Sequence, residues 1–192
     1  MKKLIGRYKN KTAVFISGAG TNLENLIKFS SKKKAPISIN IIISNKKNAK
    51  GLRYAKKYKI NKKIINFSDK KNAEQKILKL LIKNKIKLIC LAGFMEILSK
   101  NFLLKFNGKI INIHPSLLPK YKGLNTHRRA LENLEKFSGC TVHYVNSKLD
   151  SGKIILQTKV KISKTDTEIS LKRKILKKEH ILYPNAINKI FS

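Results

Sequence analysis

The fold is decided near the start of the chain by the stretch TAVFISGAGTN, which covers residues 12–22. Residues 12–17 form an apolar run, which predicts a buried strand. The glycines that follow predict a tight turn into a helix that begins near residue 21. A turn between a strand and a helix exposes backbone N–H groups at the positive end of the helix, where a phosphate group can bind. The predicted phosphate-binding residues are Gly18, Ala19, Gly20, Thr21 and Asn22.

The glycine turn fits a single phosphate group better than a dinucleotide or a nucleoside triphosphate. The dinucleotide pattern needs a third glycine, and Leu23 stands at that position. The second predicted strand ends in SNKK at 44–47, without the acidic residue that binds the ribose of a nicotinamide cofactor. The Gly-Lys-Ser/Thr signature of a P-loop does not follow the turn either. A simple turn, in which Thr21 or Asn22 helps to cap the helix, is the alternative interpretation.

Apolar runs and amphipathic stretches alternate along the rest of the chain and predict an α/β fold. Further strands are predicted at 37–43, 63–66, 87–92, 109–113, 141–145 and 153–160. Helices are predicted at 49–58, 71–83, 99–106 and 167–188, the last bent or broken near Pro184. Because strands and helices alternate, we expect a single domain with a Rossmann-like, mostly parallel twisted sheet and helices on both faces.

The chain carries a formal net charge of +34, from 44 lysine and arginine residues against 10 acidic ones. Such an excess is typical of nucleic-acid-binding proteins. The lysines are spread along the whole chain, however, and arginine, which base reading and bidentate phosphate contacts favour, is scarce. The arginines are Arg7, Arg53, Arg128, Arg129 and Arg173. We therefore interpret the charge as a solvated lysine surface from compositional bias, predict no specific nucleic-acid partner, and expect the surface to steer anionic substrates toward the protein.

The cysteines and the apolar runs indicate the cellular compartment. Cys90 lies in an apolar run and is predicted to be a core residue, and the pair Cys90 and Cys140 fits a reducing compartment better than a disulfide framework. Residues 1–3 resemble the basic start of a signal peptide, but the apolar run at 13–16 is too short for one. No run approaches the ~20 apolar residues of a membrane span. We expect a cytoplasmic protein without a membrane partner.

A second motif, NIHPSLLP at residues 112–119, contains candidate catalytic groups. Asn112 and His114 alternate at the end of a predicted strand, so both side chains should point to one face of the sheet. The carboxyl end of a parallel strand is where open α/β sheets bind ligands. An amide donor beside an imidazole suits the stabilisation of an oxyanion in acyl transfer. A purely structural histidine is the alternative.

The motif LDSG at 149–152 indicates, by itself, only a turn. His114, His127 and His143 precede this turn at spacings of 13 and 16 residues. These spacings match no zinc-binding pattern, and Cys140 has no paired cysteine nearby. We therefore predict no metal site.

Several segments together give the sequence a specific resemblance. Four of them resemble the phosphoribosylglycinamide formyltransferase family: AGFM at 92–95, NIHPSLLP at 112–119, GCTVHYV at 139–145 and LDSG at 149–152. The resemblance runs from about residue 12 to residue 185, and segments 120–127 and 178–184 are similar to the branch that acts on glycinamide ribonucleotide. It implies an enzyme that transfers the formyl group of 10-formyltetrahydrofolate to the amine of glycinamide ribonucleotide.

The resemblance also implies a role for each motif. Asn112 and a protonated His114 would hold a tetrahedral oxyanion, and Asp150 would keep His114 charged and help to relay the proton of the amine. The glycine turn would hold the phosphate, Lys70 would stand on the phosphate or folate side, and Glu179 would contact the ribose or the glycinamide. The residues implied in folate binding are Leu91, Met95, Glu96, Ile97, Leu98, Asn112, Val145 and Leu149. The half at about 12–110 would thus bind the nucleotide phosphate, and the half at about 88–190 would carry catalysis and folate binding.

The sequence departs from the family at three places. Glu96 stands where arginine is common, and Ser147 stands where an acidic or apolar residue is usual. The sequence also ends at Ser192, without the short extension of many relatives. We expect these departures to affect contacts with the folate tail and the shape of the 145–149 loop rather than the catalytic groups.

Three other functions are alternatives. A formyltransferase that acts on initiator methionyl-tRNA would need a further domain, for which we expect no room, and a formyltetrahydrofolate hydrolase would need a regulatory domain before the first strand. A catalytically dead, basic nucleic-acid-binding protein is the third alternative, and the scarcity of arginine disfavours it. For the formyltransferase we expect a monomer or a homodimer.

Overall fold

Residues 8–192 of the chain are described by a computed structural model, and the basic start at 1–3 lies outside them. The described strands are β1 Asn10–Ile16, β2 Ile37–Ser44, β3 Asn61–Ile64, β4 Leu88–Leu91, β5 Lys109–His114, β6 Phe137–Tyr144 and β7 Ile154–Lys161. The described helices are α1 Thr21–Ser30, α2 Leu52–Lys57, α3 Lys70–Lys83, α4 Lys100–Lys105, α5 Thr126–Glu132 and α6 Glu168–Phe191.

These strands form one sheet in the order β3-β2-β1-β4-β5-β6-β7. The first five strands along the chain pair in parallel, and β6 and β7 pair antiparallel with their neighbours. This confirms the predicted single-domain α/β fold with a mostly parallel sheet. The carboxyl ends of β1, β4 and β5 therefore lie side by side at one edge of the sheet.

Helices cover both faces of the sheet. Side chains along β1 alternate between the two faces, and both sets are apolar, so each face needs a covering layer. Val14 and Ile16 belong to a core cluster that includes residues of α1 and α6. Ala13 and Phe15 belong to a second cluster that includes residues of α3 and α4. All four β1 side chains are fully buried, as the apolar run predicted.

Several element boundaries differ from the prediction. The structure contains a helix, α5, that the sequence did not predict, because only two of its residues, Thr126 and Ala130, are buried and no apolar period results. All four residues of β3 are exposed, so the burial pattern could not locate this strand, which begins two residues before the predicted 63–66. Strand β6 begins at Phe137 rather than at residue 141, because Phe137 pairs with Lys161 of β7.

Helix α6 continues through Pro184, so a break at this residue, one of the two predicted outcomes, is wrong. Tyr183 before the proline and Ala186 and Ile187 after it are all fully buried. The shared apolar face on both sides of the proline explains why the helix continues despite the lost hydrogen bond.

Two further expectations concern the cysteines and the membrane. Cys90 and Cys140 are buried free thiols, and Cys90 is a core residue as predicted. Within residues 8–192, no helix combines the length and the apolar character needed to cross a membrane.

Candidate active site

The motifs recognised separately in the sequence meet at the carboxyl edge of the sheet. Strand β1 leads into the glycine turn, β4 leads into the segment 92–98, and β5 ends at His114. Backbone hydrogen bonds join the first two exits, since Ser17 N–H donates to the Gly93 carbonyl over 3.0 Å. Asp150 reaches the same place from the connection between β6 and β7.

The structure brings Asn112, His114 and Asp150 together, as the resemblance implied. Nδ1 of His114 lies 3.4 Å from Oδ2 of Asp150, and the side chains are 7% and 9% exposed. Asn112 is half-buried and lies two residues before His114 on the same strand, β5. The 3.4 Å separation is an ion-pair distance, longer than a strong charge-assisted hydrogen bond. Catalytic contacts of this kind often tighten when substrate binds.

His143 is a site residue that the sequence patterns did not identify. It lies opposite Asn112 in the antiparallel register of β5 and β6. Its Nε2 is 3.3 Å from Nδ2 of Asn112 and 3.6 Å from Oδ1 of Asp150. The Asp150 carboxylate therefore lies between two buried histidines. Only the strand register reveals this contact, and a strand predicted from one sequence carries no register.

Backbone carbonyls fix one proton on each imidazole. Nε2 of His114 lies 2.8 Å from the Tyr121 carbonyl, and Nδ1 of His143 lies 2.8 Å from the Tyr144 carbonyl. A carbonyl only accepts, so each of these nitrogens carries a hydrogen. The remaining nitrogen of each ring faces Asp150. The contact between His114 and Asp150 is therefore attractive when Nδ1 is protonated as well.

Burial and charge act in opposite directions on this pair. Burial lowers the pKa of His114, and the Tyr121 carbonyl and the Asp150 charge offset only part of the shift. Burial raises the pKa of Asp150, but the neighbouring His143 imidazole, the Gly123 N–H and His114 together outweigh it, so the pKa lies below its usual value. Asp150 is therefore ionised at neutral pH. The implied charge on His114 is opposed by desolvation, which the carboxylate does not overcome by itself.

The loop between β5 and α5 supplies the backbone groups that orient the pair. The Tyr121 carbonyl accepts from His114, and the Gly123 N–H donates to Oδ2 of Asp150 over 2.9 Å. Both loop residues have positive φ, 56° at Tyr121 and 78° at Gly123. A bulky residue rarely adopts this conformation unless neighbouring contacts impose it. The conformation of this loop therefore controls the geometry of the two acid–base groups.

A cavity that is open to solvent lies beside the triad. His143 and Asp150 line its polar end. Seven of the eight residues implied in folate binding line it: Leu91, Glu96, Ile97, Leu98, Asn112, Val145 and Leu149. The eighth, Met95, is 58% exposed and does not line the cavity, whereas the neighbouring Phe94 does.

Glu96, the departure from arginine, belongs to a hydrogen-bonded chain that reaches the glycine turn. Its Oε1 accepts from Nδ2 of Asn45 over 2.7 Å. Oδ1 of Asn45 accepts from the Ser17 hydroxyl over 2.6 Å, and that hydroxyl accepts from the Met95 N–H over 2.8 Å. The carboxylate at this position is therefore held by the surrounding structure rather than free at the surface.

The glycine turn is shaped by a backbone contact rather than by a side-chain cap. Gly20 occupies the N-cap of α1 with φ 74°, and neither Thr21 nor Asn22 makes a capping hydrogen bond. The alternative interpretation as a side-chain-capped turn is therefore wrong. A Cβ at Gly20 would lie 2.6 Å from Cα of Gly51, whereas a Cβ at Gly18 would meet no atom within 4 Å.

Two predicted substrate residues, Asn22 and Glu179, are brought into contact. Nδ2 of Asn22 donates to Oε2 of Glu179 over 2.7 Å, and both residues are buried. Burial raises the pKa of Glu179, against the opposing effect of Asn22. Oδ1 of Asn22 is buried and has no hydrogen-bond partner within residues 8–192. Lys70, in contrast, is exposed at the start of α3, and no described contact joins it to the glycine turn.

Comparison with known proteins assigns this chain to a family. The profile of the formyl transferase family matches residues 10–187. A phosphoribosylglycinamide formyltransferase of Haemophilus influenzae is 43% identical over 180 residues, which are 92% of this chain and 85% of that protein. The chain belongs to the phosphoribosylglycinamide formyltransferases.

Solved structures of this formyltransferase family have the same fold. The phosphoribosylglycinamide formyltransferase of Brucella melitensis superposes with a TM-score of 0.90 at 41% identity, covering 95% of this chain and 96% of that chain.

The human trifunctional purine biosynthetic protein adenosine-3 is 42% identical over 187 residues. The formyltransferase chain spans only 18% of that trifunctional relative. The family that the sequence segments indicated is therefore confirmed.

Proposed function

We propose that this formyltransferase transfers the formyl group of 10-formyltetrahydrofolate to the amine of glycinamide ribonucleotide, a step of purine biosynthesis. The observation that carries the proposal is that Asn112 and Asp150 line one cavity while Asp150 pairs with the buried His114, in a chain of this family. An amide beside a paired imidazole and carboxylate suits acyl transfer through an oxyanion.

The cavity beside the triad fits the folate. Most of its wall is apolar, and a few polar side chains stand at one end, as is usual in small-molecule sites. Leu91 and Leu98 are buried members of this wall, and Asn112 with Asp150 forms the polar end. Folate bound there would supply the formyl group, and the protein would orient that group toward Asn112 and exclude water.

Asn112 and His114 would stabilise the oxyanion that forms when the substrate amine adds to the formyl carbon. Nε2 of His114 is engaged with the Tyr121 carbonyl, so Nδ1–H, which faces Asp150 at 3.4 Å, would be shared between the carboxylate and the oxyanion. One hydrogen of the Asn112 amide is directed at His143, and the second is left for the oxyanion. A negative oxygen beside Nδ1 favours the cationic imidazole and offsets the effect of burial.

Asp150 would accept the proton that the amine loses when the new C–N bond forms. The carboxylate is ionised at neutral pH, because the neighbouring imidazoles and the Gly123 N–H hold its pKa low. The same proton must reach the leaving nitrogen when the old C–N bond breaks and the oxyanion returns its electrons to the C–O bond. One carboxylate beside the reacting carbon serves both transfers, directly or through water.

The glycine turn and α6 would hold the ribonucleotide. Gly18 leaves open space at the turn, where a phosphate can approach the first N–H groups of α1. The unpartnered Oδ1 of Asn22 and the carboxylate of Glu179 are acceptors, which suits a ligand that brings hydroxyl or amide N–H donors. Buried acceptors of this kind favour a ligand that satisfies them, because leaving them unpaired costs free energy.

The test is a formyl-transfer assay with glycinamide ribonucleotide and 10-formyltetrahydrofolate. Formylated ribonucleotide should appear only when both substrates and the wild-type protein are present. A His114→Ala variant should be nearly inactive, and an Arg128→Ala variant, changed at an exposed side chain, should be fully active. Formate release without transfer, in a control that lacks the ribonucleotide, would instead identify a hydrolase and reject the proposal.

A further inference from the structure

The loop at 121–124 orients both acid–base groups, yet few contacts hold it. Its Tyr121 carbonyl accepts from His114, and its Gly123 N–H donates to Asp150. The loop lies outside strands and helices, and its backbone adopts positive φ at Tyr121 and at Gly123. An irregular segment of this kind keeps one conformation only if side chains fasten it.

Arg129 of α5 is the side chain that bridges this loop. Its Nη1 donates to the Lys122 carbonyl over 2.8 Å and lies 3.4 Å from the Leu124 carbonyl. These two carbonyls flank Gly123. The Arg129 guanidinium also lies 5.1 Å from the ring centroid of Tyr121. The Arg129 guanidinium thus contacts the ring of Tyr121, whose carbonyl binds His114. It also contacts the carbonyls on either side of Gly123, whose N–H binds Asp150.

The opposite edge of the Tyr121 ring is also fastened. Its hydroxyl donates to Oε1 of Glu135 over 2.8 Å, and Nζ of Lys120 lies 2.7 Å from the same oxygen. The ring is therefore held between Arg129 and Glu135. A side chain held on two sides restricts the rotation of its own peptide carbonyl, which is the group that accepts from His114.

We propose that Arg129 is a positioning residue for formyl transfer. It holds residues 121–124 so that the Tyr121 carbonyl and the Gly123 N–H set the distance between His114 and Asp150. Lysine would not fully replace it, because its ammonium is a compact charge that lacks the planar face with which a guanidinium stacks on a ring. The inference rests on the proposed function, since it concerns the geometry of the same site.

The chain offers a matched control on the same helix. Arg128 precedes Arg129 in α5, and its Nε forms an exposed pair with Glu132 at 2.7 Å. It has no described contact with the loop at 121–124. The two arginines share residue type, helix and charge, and they differ in what they contact. A loss that depends on the loop should therefore separate them.

The experiment compares Arg129→Ala, Arg129→Lys and Arg128→Ala in steady-state transfer kinetics and thermal unfolding. Misplacement of reacting groups by about 1 Å can cost on the order of 10²-fold in rate. We expect Arg129→Ala to lower kcat by about 10–100-fold, with both KM values and the unfolding midpoint close to wild type. Arg129→Lys should lose less, and Arg128→Ala should match wild type.

A measurement independent of turnover accompanies the kinetics. The Nε2–H signal of His114 in NMR spectra reports its hydrogen bond to Tyr121, so it should shift in Arg129→Ala and stay in place in Arg128→Ala. Equal kcat for the two alanine variants, or a kcat loss matched by unfolding at the assay temperature, would overturn the proposal. Absence of transfer in the wild type would instead overturn the proposed function, and the NMR comparison would still decide the role of Arg129 in the loop.

Discussion

Replacing Asp150 by asparagine removes one charge from the site and leaves its shape. Asp150 has φ 43°, a conformation that asparagine tolerates. The Gly123 N–H donates to Oδ2, so the amide oxygen of asparagine should take that place and the amide nitrogen should face His143. The reverse orientation would put two donors against each other. The fold and the orientation of the side chain should therefore be retained.

The expected loss follows from the protonation of His114. Burial already lowers the pKa of this imidazole against the attraction of Asp150, so removing the carboxylate makes a protonated Nδ1 less favourable still. The variant then has a weakened oxyanion donor, worth at most about 10²–10³ in rate, and lacks the proton acceptor, worth about 10²–10⁴. Both effects depend on the same carboxylate, so we expect kcat to fall by roughly 10³–10⁴ rather than by their product.

The assay is steady-state formyl transfer by Asp150→Asn, His114→Ala and the double variant, with ribonucleotide affinity measured by calorimetry. The double variant should be little worse than the poorer single one, because the two groups act on one oxyanion. Asp166→Asn is the control, since it removes a carboxylate that pairs with Lys174 at 2.6 Å outside the site. If Asp150→Asn keeps most of the wild-type kcat, or if the two losses multiply, the cooperative arrangement is the wrong description.

Three further predictions follow from the glycine turn, the surface charge and the buried carboxyl. Gly18→Ala should fold and should raise KM for the ribonucleotide about tenfold more than KM for the folate, which is the equivalent of one hydrogen bond to a charged group. Gly20→Ala should instead lower the unfolding midpoint. Equal effects of Gly18→Ala on both KM values would show that the turn does not bind the ribonucleotide. In a salt series, kcat/KM should fall between low and physiological ionic strength while kcat stays constant, because the net charge of +34 steers anionic substrates toward the protein. A kcat/KM that does not change with salt would show that the charge has no such effect. The pKa of Glu179 is higher in the folded chain than in the unfolded chain. Its contribution to the free energy of unfolding is therefore fully present below about pH 4, the ordinary pKa range of a glutamate, and is lost as the pH rises through the pKa of the folded chain. Thermal unfolding should therefore show wild type losing stability relative to Glu179→Gln between about pH 4 and pH 7, and the opposite trend would contradict the reasoning.

The order of strands and helices could be predicted because the buried strands are continuous apolar runs. Ile37–Ser44 and Leu88–Leu91 were predicted at 37–43 and 87–92, since parallel strands covered on both faces need no polar residue. Helix α3 was predicted to within one residue, because Ile77, Leu78 and Leu81 repeat on one face. Strand β3 and helix α5 were misplaced or missed because they bury little.

From residue patterns alone, the active site could be predicted only where its residues belong to one local motif, and the resemblance to the family supplied Asp150 and the residues that line the cavity. Asn112 and His114 share a strand, so their spacing places them together. His143 joins them through the β5–β6 register, and Tyr121 and Gly123 join them through backbone groups. Backbone donors and acceptors leave no signature in the residue type, and long-range register is set by packing rather than by local pattern.

Helix α6 couples the two parts of the site. Glu179 and Tyr183 are four residues apart and so lie on one face of the helix. Glu179 accepts from Asn22 beside the glycine turn, whereas the Tyr183 hydroxyl donates to the Leu91 carbonyl over 2.9 Å and lies 3.3 Å from the Ile111 carbonyl. Leu91 lines the cavity, and Ile111 precedes Asn112. A displacement of α6 would therefore move the Glu179 carboxylate together with the ends of β4 and β5. The distance between the proposed ribonucleotide and folate sites thus depends on one buried face of this helix.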